Sequence, residues 1–417
     1  MANIILITGA GTKAFCAGGD VSELAKQNKE GPEGQQASAG FFALEYQLDH
    51  LIATYSKPYI AVMDGITMGG GVGLSVHAPF RIATEKTVFA MPETTIGFFP
   101  DVGGSFFLPR LDGEIGTYLA LTSERLDGVQ AFQAGIATHY LDSSVLGSLT
   151  TRLSELVFKD HSSLQDRWKL VNSTLDEFSS GLPSPDSYEK SAYGNLKGPL
   201  RQAIDRCFKF DEVQDILNAL QKEIDISPDP NLKKWAETTL ATITTRSPTS
   251  LKVTLRQLRL GLGWSISETF IREHQIATKF MSHGDFVEGV SARLINKPPT
   301  SPAWNPSNLS DVSASDVTSF FTLKQGDEQL KLLEPYRGAP PQDYKEYPHA
   351  RLALPRESDI EAVIKSNGSQ GAKAVLEQLL RQWEHKQGVR EKVMEVIARR
   401  TTTKGKSIVW KPEASHL

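Results

Sequence analysis

Short apolar runs alternate with amphipathic stretches through the first third of the chain. Apolar residues cluster at Ile4–Thr8 and Tyr59–Met63, and again, over shorter lengths, near Phe80–Ala83 and Val88–Ala90. Runs of this length, bounded by glycine or polar residues, predict buried strands. Residues 41–55, "FFALEYQLDHLIATY", lie between the first two runs and carry apolar positions at helical spacing. The order strand, helix, strand predicts a right-handed crossover and a parallel sheet, and hence an α/β core.

One stripe of this helix is expected to be apolar. Its members are Phe41, Leu44, Leu48, Leu51 and Ile52. The preceding segment, residues 28–40, is polar and rich in glycine, and it predicts a mobile loop.

The rest of the chain has a mainly helical pattern. Residues 113–160 predict helices with short turns, and residues 161–300 repeat apolar positions at helical spacing. The Pro-rich segment 296–308, "NKPPTSPAWNPSN", predicts a domain boundary. The predicted organisation is therefore an α/β core over 1–160, a helical part over 161–305, and a linker with a helical C-terminal extension over 306–417.

Composition is ordinary for a soluble globular protein of 417 residues, with 40% hydrophobic and 23% charged residues. The net charge of −4 gives no basic signal for nucleic acid, so direct DNA binding is not indicated. Only Cys16 and Cys207 are present, which predicts no disulfide framework and a reducing compartment. No apolar run is long enough to span a bilayer.

The last part of the chain differs in charge from the remainder. Residues 321–417 contain 17 Lys and Arg against 13 Asp and Glu, whereas the whole chain is acidic. Such asymmetry is found in partner-binding segments and equally in solvated helical appendages. The appendage is the expected structure here.

Two glycine-rich turns, "FCAGGD" at 15–20 and "ITMGGGVGLSVH" at 66–77, each precede a helical pattern. Glycine lets another group approach the backbone, and the first N–H groups of a helix lack intrahelical acceptors. Gly19 and Gly70 can therefore present two donors to one oxygen, as acyl-transfer chemistry requires. Asp20 is expected to cap the first helix. Tight packing of a helix on a strand would explain the same glycines.

Two acids, Glu93 and Asp101, follow prolines in "FAMPETTIGFFPDVGG", residues 89–104. Apolar surroundings raise the pKa of a carboxyl group and suit it to acid or base chemistry, although both residues could simply cap helices. His77 and His139 lie in apolar stretches and are expected to be core residues. No spacing of His, Cys and Asp indicates a metal site.

Nucleotide-binding motifs are rejected. The stretch "GAGTKAF", residues 9–15, lacks the third glycine of a dinucleotide fingerprint. No Gly-Lys-Ser/Thr follows at the distance that a P-loop requires.

Three long stretches resemble the crotonase superfamily of acyl-CoA enzymes and, within it, the 3-hydroxyisobutyryl-CoA hydrolase family of valine breakdown. They are "KAFCAGGD", "KPYIAVMDGITMGGGVGLSVHAPFRIATE" and "FAMPETTIGFFPDVGGSFFLPRL". The resemblance covers residues 4–305, and the last part of the chain is similar to an extension carried by fungal relatives. It implies a crotonase-like (ClpP/crotonase) spiral of ββα units followed by a helical region.

The resemblance also implies a set of site residues. Gly19 and Gly70 match the two backbone donors of the oxyanion hole. Glu93 matches the catalytic glutamate, Asp101 a second acid of the hydrolases, and Glu45 a position that contacts substrate. Substrate binding is thus expected at Glu45, Gly70, Glu93 and Asp101.

Gly73 stands where enoyl-CoA hydratases carry another catalytic glutamate, which argues against a hydratase. The implied reaction is hydrolysis of 3-hydroxyisobutyryl-CoA in the mitochondrion, with CoA as part of the substrate and no separate cofactor. The alternative is a structural component of the mitochondrial small ribosomal subunit derived from such a hydrolase. The family carries further strands and part of the CoA site before the strand at Ile4, and these are expected to be missing from this chain.

Overall fold

The computed structural model describes residues 3–159, 161–184, 196–323, 329–333 and 343–411. Within these residues, no helix combines the length and the apolar character that crossing a membrane requires. The same residues contain no group of three or more His, Cys, Asp or Glu arranged to hold a metal ion.

The strands form two four-stranded sheets, with orders β1-β3-β5-β8 and β2-β4-β6-β7, and β1 to β6 pass alternately from one sheet to the other. The strands are β1 (Ile5–Thr8), β2 (Ala14–Cys16), β3 (Tyr59–Met63), β4 (Ile66–Met68), β5 (Phe80–Ala83), β6 (Val88–Ala90), β7 (Leu126–Asp127) and β8 (His139–Tyr140). The predicted parallel pairing is confirmed: Ile5 lies beside Tyr59, and Ile60 beside Phe80. Only β6 and β7 pair in antiparallel fashion among these strands. The fully buried β3 lies at the centre of the first sheet.

Helices fill the space around the sheets. The first three are α1 (Val21–Lys29), α2 (Pro32–Ala53) and α3 (Gly70–Val76). Those that follow in the described chain are Gly104–Phe107, Ile115–Thr122, Gly128–Gln133, Leu146–Ser154, Leu164–Asp176, Gly198–Phe208, Val213–Ile226, Pro230–Thr244, Pro248–Gly261, Ile266–Met281, Gly284–Val290, Ala314–Phe320, Glu357–Asn367, Ala372–Gln382 and Val389–Arg400. The helical pattern of 161–300 is thus confirmed over its described residues, and residues 185–195 lie outside them.

The prediction of a mobile loop at 28–40 is wrong. Instead, α2 begins at Pro32 and continues to Ala53. Pro32 occupies the first helical position, where a missing N–H costs nothing, and Gly31 before it adopts a positive φ of 97°. Glycine and polar residues in this segment therefore begin a helix and do not form a loop.

The apolar stripe predicted on α2 faces the core only in part. Ile52 is 4% exposed, whereas Phe41, Leu44 and Leu48 are 37%, 69% and 44% exposed. The buried face of α2 instead carries Tyr46 and Asp49, both 0% exposed. Helical spacing was correctly recognised, but the face that packs against the core carries polar groups.

The C-terminal extension packs on the core, which differs from the expectation of a solvated appendage. One buried cluster joins Phe132 and Tyr140 of the core to Ile360, Val393 and other residues of the extension. The extension ends in a hairpin of β9 (Thr401–Lys404) and β10 (Ser407–Trp410). Residues 324–328, 334–342 and 412–417 of the extension lie outside the described residues.

A buried ion pair joins the extension to the core. Lys392 Nζ lies 2.6 Å from Asp112 Oδ2, and each side chain is 9% exposed. The backbone N–H of Glu357 donates to the other oxygen of Asp112 at 2.9 Å. Burial is the largest single effect and raises the pKa of Asp112, but Lys392, Arg201 and the N–H of Glu357 together lower it below its ordinary value.

This ion pair generates a stability prediction. Lys392→Met leaves the Asp112 carboxylate buried without its cation, and removing one partner of a buried pair typically costs about 3–5 kcal/mol. Urea unfolding should therefore show a lower midpoint for this variant. The exposed Lys373 provides the control, because Lys373→Met should change the free energy of unfolding by no more than about 0.5 kcal/mol. Equal midpoints for the two variants would contradict the prediction.

Candidate active site

The two glycine turns lie against each other. A Cβ built on Gly18 would lie 3.6 Å from the backbone nitrogen of Gly70 and 3.8 Å from the Cα of Gly69. Gly18 and Gly69 have φ values of 104° and 51°, a region that favours glycine. The close approach of the two backbones therefore depends on residues without a side chain.

Each turn opens a helix, as predicted. Asp20 is the N-cap of α1, and its side chain accepts the backbone N–H of Glu23 at 3.1 Å. At the second turn, Gly69 is the N-cap of α3, and its carbonyl accepts the N–H of Val72 at 2.7 Å. The starts of α1 and α3 are brought together where Gly18 contacts Gly69 and Gly70, next to Gly19.

Glu93 lies at this junction. It begins a 3₁₀ turn after Pro92, is 5% exposed, and its Oε1 is 3.5 Å from the position of a Cβ on Gly69. Its Oε2 has no hydrogen-bond partner among the described residues. Burial, followed by the nearby charge of Asp101, raises the pKa of Glu93 well above its ordinary value. Such a carboxyl group becomes a strong base once it loses its proton.

Asp101 is buried close by and is held by a tyrosine. The hydroxyl of Tyr46 on α2 donates to Asp101 Oδ2 at 2.7 Å. Burial raises the pKa of Asp101 to about 7, against the opposing effect of this hydrogen bond. A group with this pKa can both give and take a proton near neutrality.

Glu45 precedes Tyr46 on α2 and reaches the second turn. Its Oε1 would collide with a Cβ on Gly70, so the missing side chain lets Glu45 lie in its present position. Burial and the charge of Asp101 raise the pKa of Glu45 to about 8. Glu45, Glu93, Asp101 and the two turns therefore meet in one site.

Asp49, one helical turn after Glu45, is a further buried acid that sequence reasoning missed. Its carboxylate carbon lies 2.7 Å from the position of a Cβ on Gly73. Neither carboxylate oxygen has a hydrogen-bond partner among the described residues. Burial, then the charge of Glu45, raises the pKa of Asp49 well above its ordinary value. Space left by Gly73 is thus occupied by an acid from another helix.

Glu273, also missed, holds the loop after Asp101. Its carboxylate accepts the backbone N–H groups of Gly103 at 2.7 Å and Ser105 at 2.8 Å. Burial nevertheless raises its pKa to about 8. Glu273 comes from the distant helix Ile266–Met281, and no local motif marks it.

The two histidines expected in the core are buried there. His77 and His139 are 0% and 2% exposed. His77 Nε2 donates to the carbonyl of Val102 at 2.8 Å, next to Asp101. Its Nδ1 accepts from the hydroxyl of Tyr347 at 2.8 Å, which connects the extension to the loop carrying the acid.

Comparison with known proteins identifies the fold and the family. Residues 1–321 match the family model described as enoyl-CoA hydratase/isomerase. The chain belongs to this family. The solved structure of a carnitinyl-CoA dehydratase from Mycobacterium thermoresistibile superposes with a TM-score of 0.65 at 32% identity, covering 81% of this chain and 86% of that one. The predicted crotonase-like fold, followed by a helical region, is confirmed.

Relatives of this family member fall into two groups. The mitochondrial 3-hydroxyisobutyryl-CoA hydrolase of Danio rerio is 43% identical over 335 residues, 79% of this chain and 80% of its own length. The small ribosomal subunit protein mS47 of Neurospora crassa is 50% identical over 419 residues, 99% of this chain and 80% of its own length. The resemblance to the hydrolase family and the similarity to an extended fungal relative are both confirmed.

The buried acid Asp49 generates a prediction on stability. Its pKa is raised in the folded state, so the folded protein binds a proton that the unfolded chain releases above its ordinary pKa, and stability falls as pH rises. Asp49→Asn has nearly the same shape and loses no proton. The melting temperature of this variant should exceed that of the parent at pH 8 by about 1 °C for each 1 kcal/mol recovered.

At pH 4 the gain from Asp49→Asn should be small, because the unfolded chain also keeps much of its proton there. Thermal unfolding followed by circular dichroism at both pH values measures the difference. A variant less stable than the parent at pH 8 would contradict the buried, unpartnered position of Asp49.

Proposed function

We propose that this family member hydrolyses a CoA thioester and that its substrate is 3-hydroxyisobutyryl-CoA. One observation carries the proposal: the buried carboxyl group of Glu93 has a free oxygen beside the junction of the two glycine turns. A strong base at the place where two backbone donors converge suits attack on an acyl carbon. The 43% sequence identity with the mitochondrial 3-hydroxyisobutyryl-CoA hydrolase of Danio rerio supports the choice of substrate and a mitochondrial location.

The backbone N–H groups of Gly19 and Gly70 polarise the thioester carbonyl in this mechanism. Negative charge develops on the carbonyl oxygen during attack, and donors fixed in a water-poor site stabilise it without reorganising. The oxygen would lie between the starts of α1 and α3. Glu45, whose carboxylate lies beside Gly70, contacts the bound substrate.

Glu93 in its charged form acts as the general base or as the nucleophile. It either removes a proton from a water molecule that adds to the carbonyl carbon, or adds to that carbon itself and forms an anhydride that water then opens. In both routes the carbon–sulfur bond breaks, the thiolate of CoA leaves, and water provides the new acid oxygen. Asp101, with a pKa of about 7, gives a proton to the thiolate or orients the 3-hydroxyl group.

Substitution of the base tests this function. Glu93→Gln keeps the shape of the side chain and cannot take a proton, so CoA release should fall by about 100- to 10,000-fold. Release of CoA from 3-hydroxyisobutyryl-CoA is followed with a thiol reagent. Glu237→Gln, an exposed glutamate on the helix Pro230–Thr244, is the matched control and should keep full turnover. Turnover of Glu93→Gln equal to this control would exclude Glu93 as base or nucleophile.

We also propose a second function, as a component of the mitochondrial small ribosomal subunit. The share of this chain that each relative's alignment covers favours it. The mS47 protein matches 99% of this chain, including the extension, whereas the Danio rerio hydrolase matches 79%. The similarity to the ribosomal protein therefore includes the part that the hydrolase alignment leaves unmatched. The two roles are compatible, because the extension and the acids occupy different parts of the chain.

Co-sedimentation with mitochondrial small subunits tests the second function separately. The parent chain and the Glu93→Gln variant should both sediment with the particles, since the substitution changes one buried atom group and leaves the surface intact. Glu237→Gln serves again as the control. Recovery of the parent chain only in the unbound fraction, at salt concentrations that keep the particles intact, would contradict a ribosomal role.

A further inference from the structure

A lysine of the extension contacts a buried histidine of the core, far along the chain from the acids described above. Lys386 Nζ lies 3.0 Å from His139 Nε2. A charged lysine only donates hydrogen bonds, so Nε2 is the acceptor and the ring proton is on Nδ1. His139 Nδ1 lies 3.0 Å from Thr138 Oγ1 and donates to it.

The threonine fixes the ring. Thr138 Oγ1 also accepts the backbone N–H of Arg81 at 2.8 Å and donates to the Arg81 carbonyl at 3.1 Å. His139 is 2% exposed, and burial lowers its pKa well below the ordinary value, so the ring is neutral. Amine, neutral imidazole and an orienting hydroxyl thus form a chain of hydrogen bonds, the arrangement of a nucleophile with a positioned base.

Lys386 also lines a cavity of about 510 Å³ between the extension and the core. Leu182 and Leu380 supply apolar wall to this cavity, and Gln387 lines it as well. Both polar atoms of the Gln387 side-chain amide are buried and have no hydrogen-bond partner among the described residues. A cavity with an apolar wall beside an amine has the features of a site for a ligand that carries an apolar chain and a polar group.

The backbone at this cavity is strained. Glu384 and His385, directly before Lys386, have φ values of 50° and 59°. Consecutive non-glycine residues in this region cost free energy, and such strain concentrates at sites where a side chain is aimed at a ligand.

We propose that Lys386 is an acyl-acceptor site, at which the side-chain amine takes an acyl group from a CoA thioester to form an amide. The proposal goes beyond hydrolysis at Glu93 and uses none of its residues. The apolar wall of Leu182 and Leu380 would receive the acyl chain.

The reaction balances without a further reagent. The nitrogen lone pair of neutral Lys386 adds to the thioester carbonyl carbon, and the carbon–sulfur bond then breaks as CoA thiolate leaves. The proton lost by nitrogen passes to His139 Nε2 and from there to the thiolate. The products are an N-acyl-lysine and free CoA, and no electron is transferred to or from an external partner.

The surroundings favour the neutral amine. Burial lowers the pKa of Lys386 to about 8, and Arg81 acts in the same direction, while Asp176 opposes them. Other titratable groups facing the amine or lining its cavity are His139, Glu384, His385, Arg390 and Glu391. At pH 8 about half of the side chains at this position are unprotonated, against well below one in a hundred for an ordinary lysine.

Incubation of the full chain with acetyl-CoA tests the proposal, with site occupancy measured by mass spectrometry between pH 6 and pH 10. Lys386 should be acetylated at least about tenfold faster at pH 8 than Lys406, an exposed lysine at the hairpin turn. The same labelling of Lys386 is expected in the Glu93→Gln chain, which separates this site from thioester hydrolysis.

Two variants test the roles of the neighbours. Asp176→Asn removes the charge that raises the Lys386 pKa, so acetylation of Lys386 at pH 7 should increase. His139→Gln keeps an acceptor but no base, and labelling should fall by about tenfold or more, with circular dichroism confirming the fold. Labelling of Lys386 no faster than Lys406, or a rate unchanged by Asp176→Asn, would overturn the proposal.

Discussion

The close approach of α3 to its neighbours is the constraint on which the site depends. A Cβ on Gly70 would take the place of the Glu45 carboxylate, and a Cβ on Gly71 would collide with the backbone of Cys16. At Gly73 the same atom would meet the carboxylate of Asp49. Glycine at these three positions costs helix propensity, but it lets acids from α2 reach the start of α3. The residues at the start of α3 therefore allow close packing of neighbouring groups at the expense of helix stability.

Burial of several acids around this junction sets their chemistry. Each of Glu45, Glu93 and Asp101 has a raised pKa with desolvation as its first cause, and the charge of Asp101 adds to the shift of Glu45 and of Glu93. The folded protein accordingly holds protons on groups that would be charged in water. Tyr46 works against this at Asp101, whose pKa is about 7. The hydrogen bonds of Asp101, with that of Tyr46 the largest, thus partly offset the effect of its burial.

Local sequence motifs made part of the candidate site predictable. Gly19, Gly70, Glu93 and Asp101 lie in continuous stretches whose residue types indicate turns and acids, and the structure brings them together. The burial of Asp49 was not predictable, because helical spacing defines an apolar stripe and does not decide which face is buried. The chain packs the acidic face of α2 inward and leaves Leu44 exposed, since α3 offers glycines there. Glu273 acts through tertiary contacts alone, which no local pattern records.

The extension and the acids are physically connected, which bears on the two proposed roles. Tyr347 of the extension bonds His77, and His77 bonds the carbonyl of Val102, the residue after Asp101. An altered extension would therefore act on the loop that carries an acid. Within the described residues, Asp49 and Glu93 also retain buried oxygens without a hydrogen-bond partner, which costs free energy in a folded protein. A purely structural subunit gains nothing from that cost, whereas an enzyme needs proton-holding groups in such a place. The cost of burying these acids thus favours the proposed hydrolysis over a structural role alone.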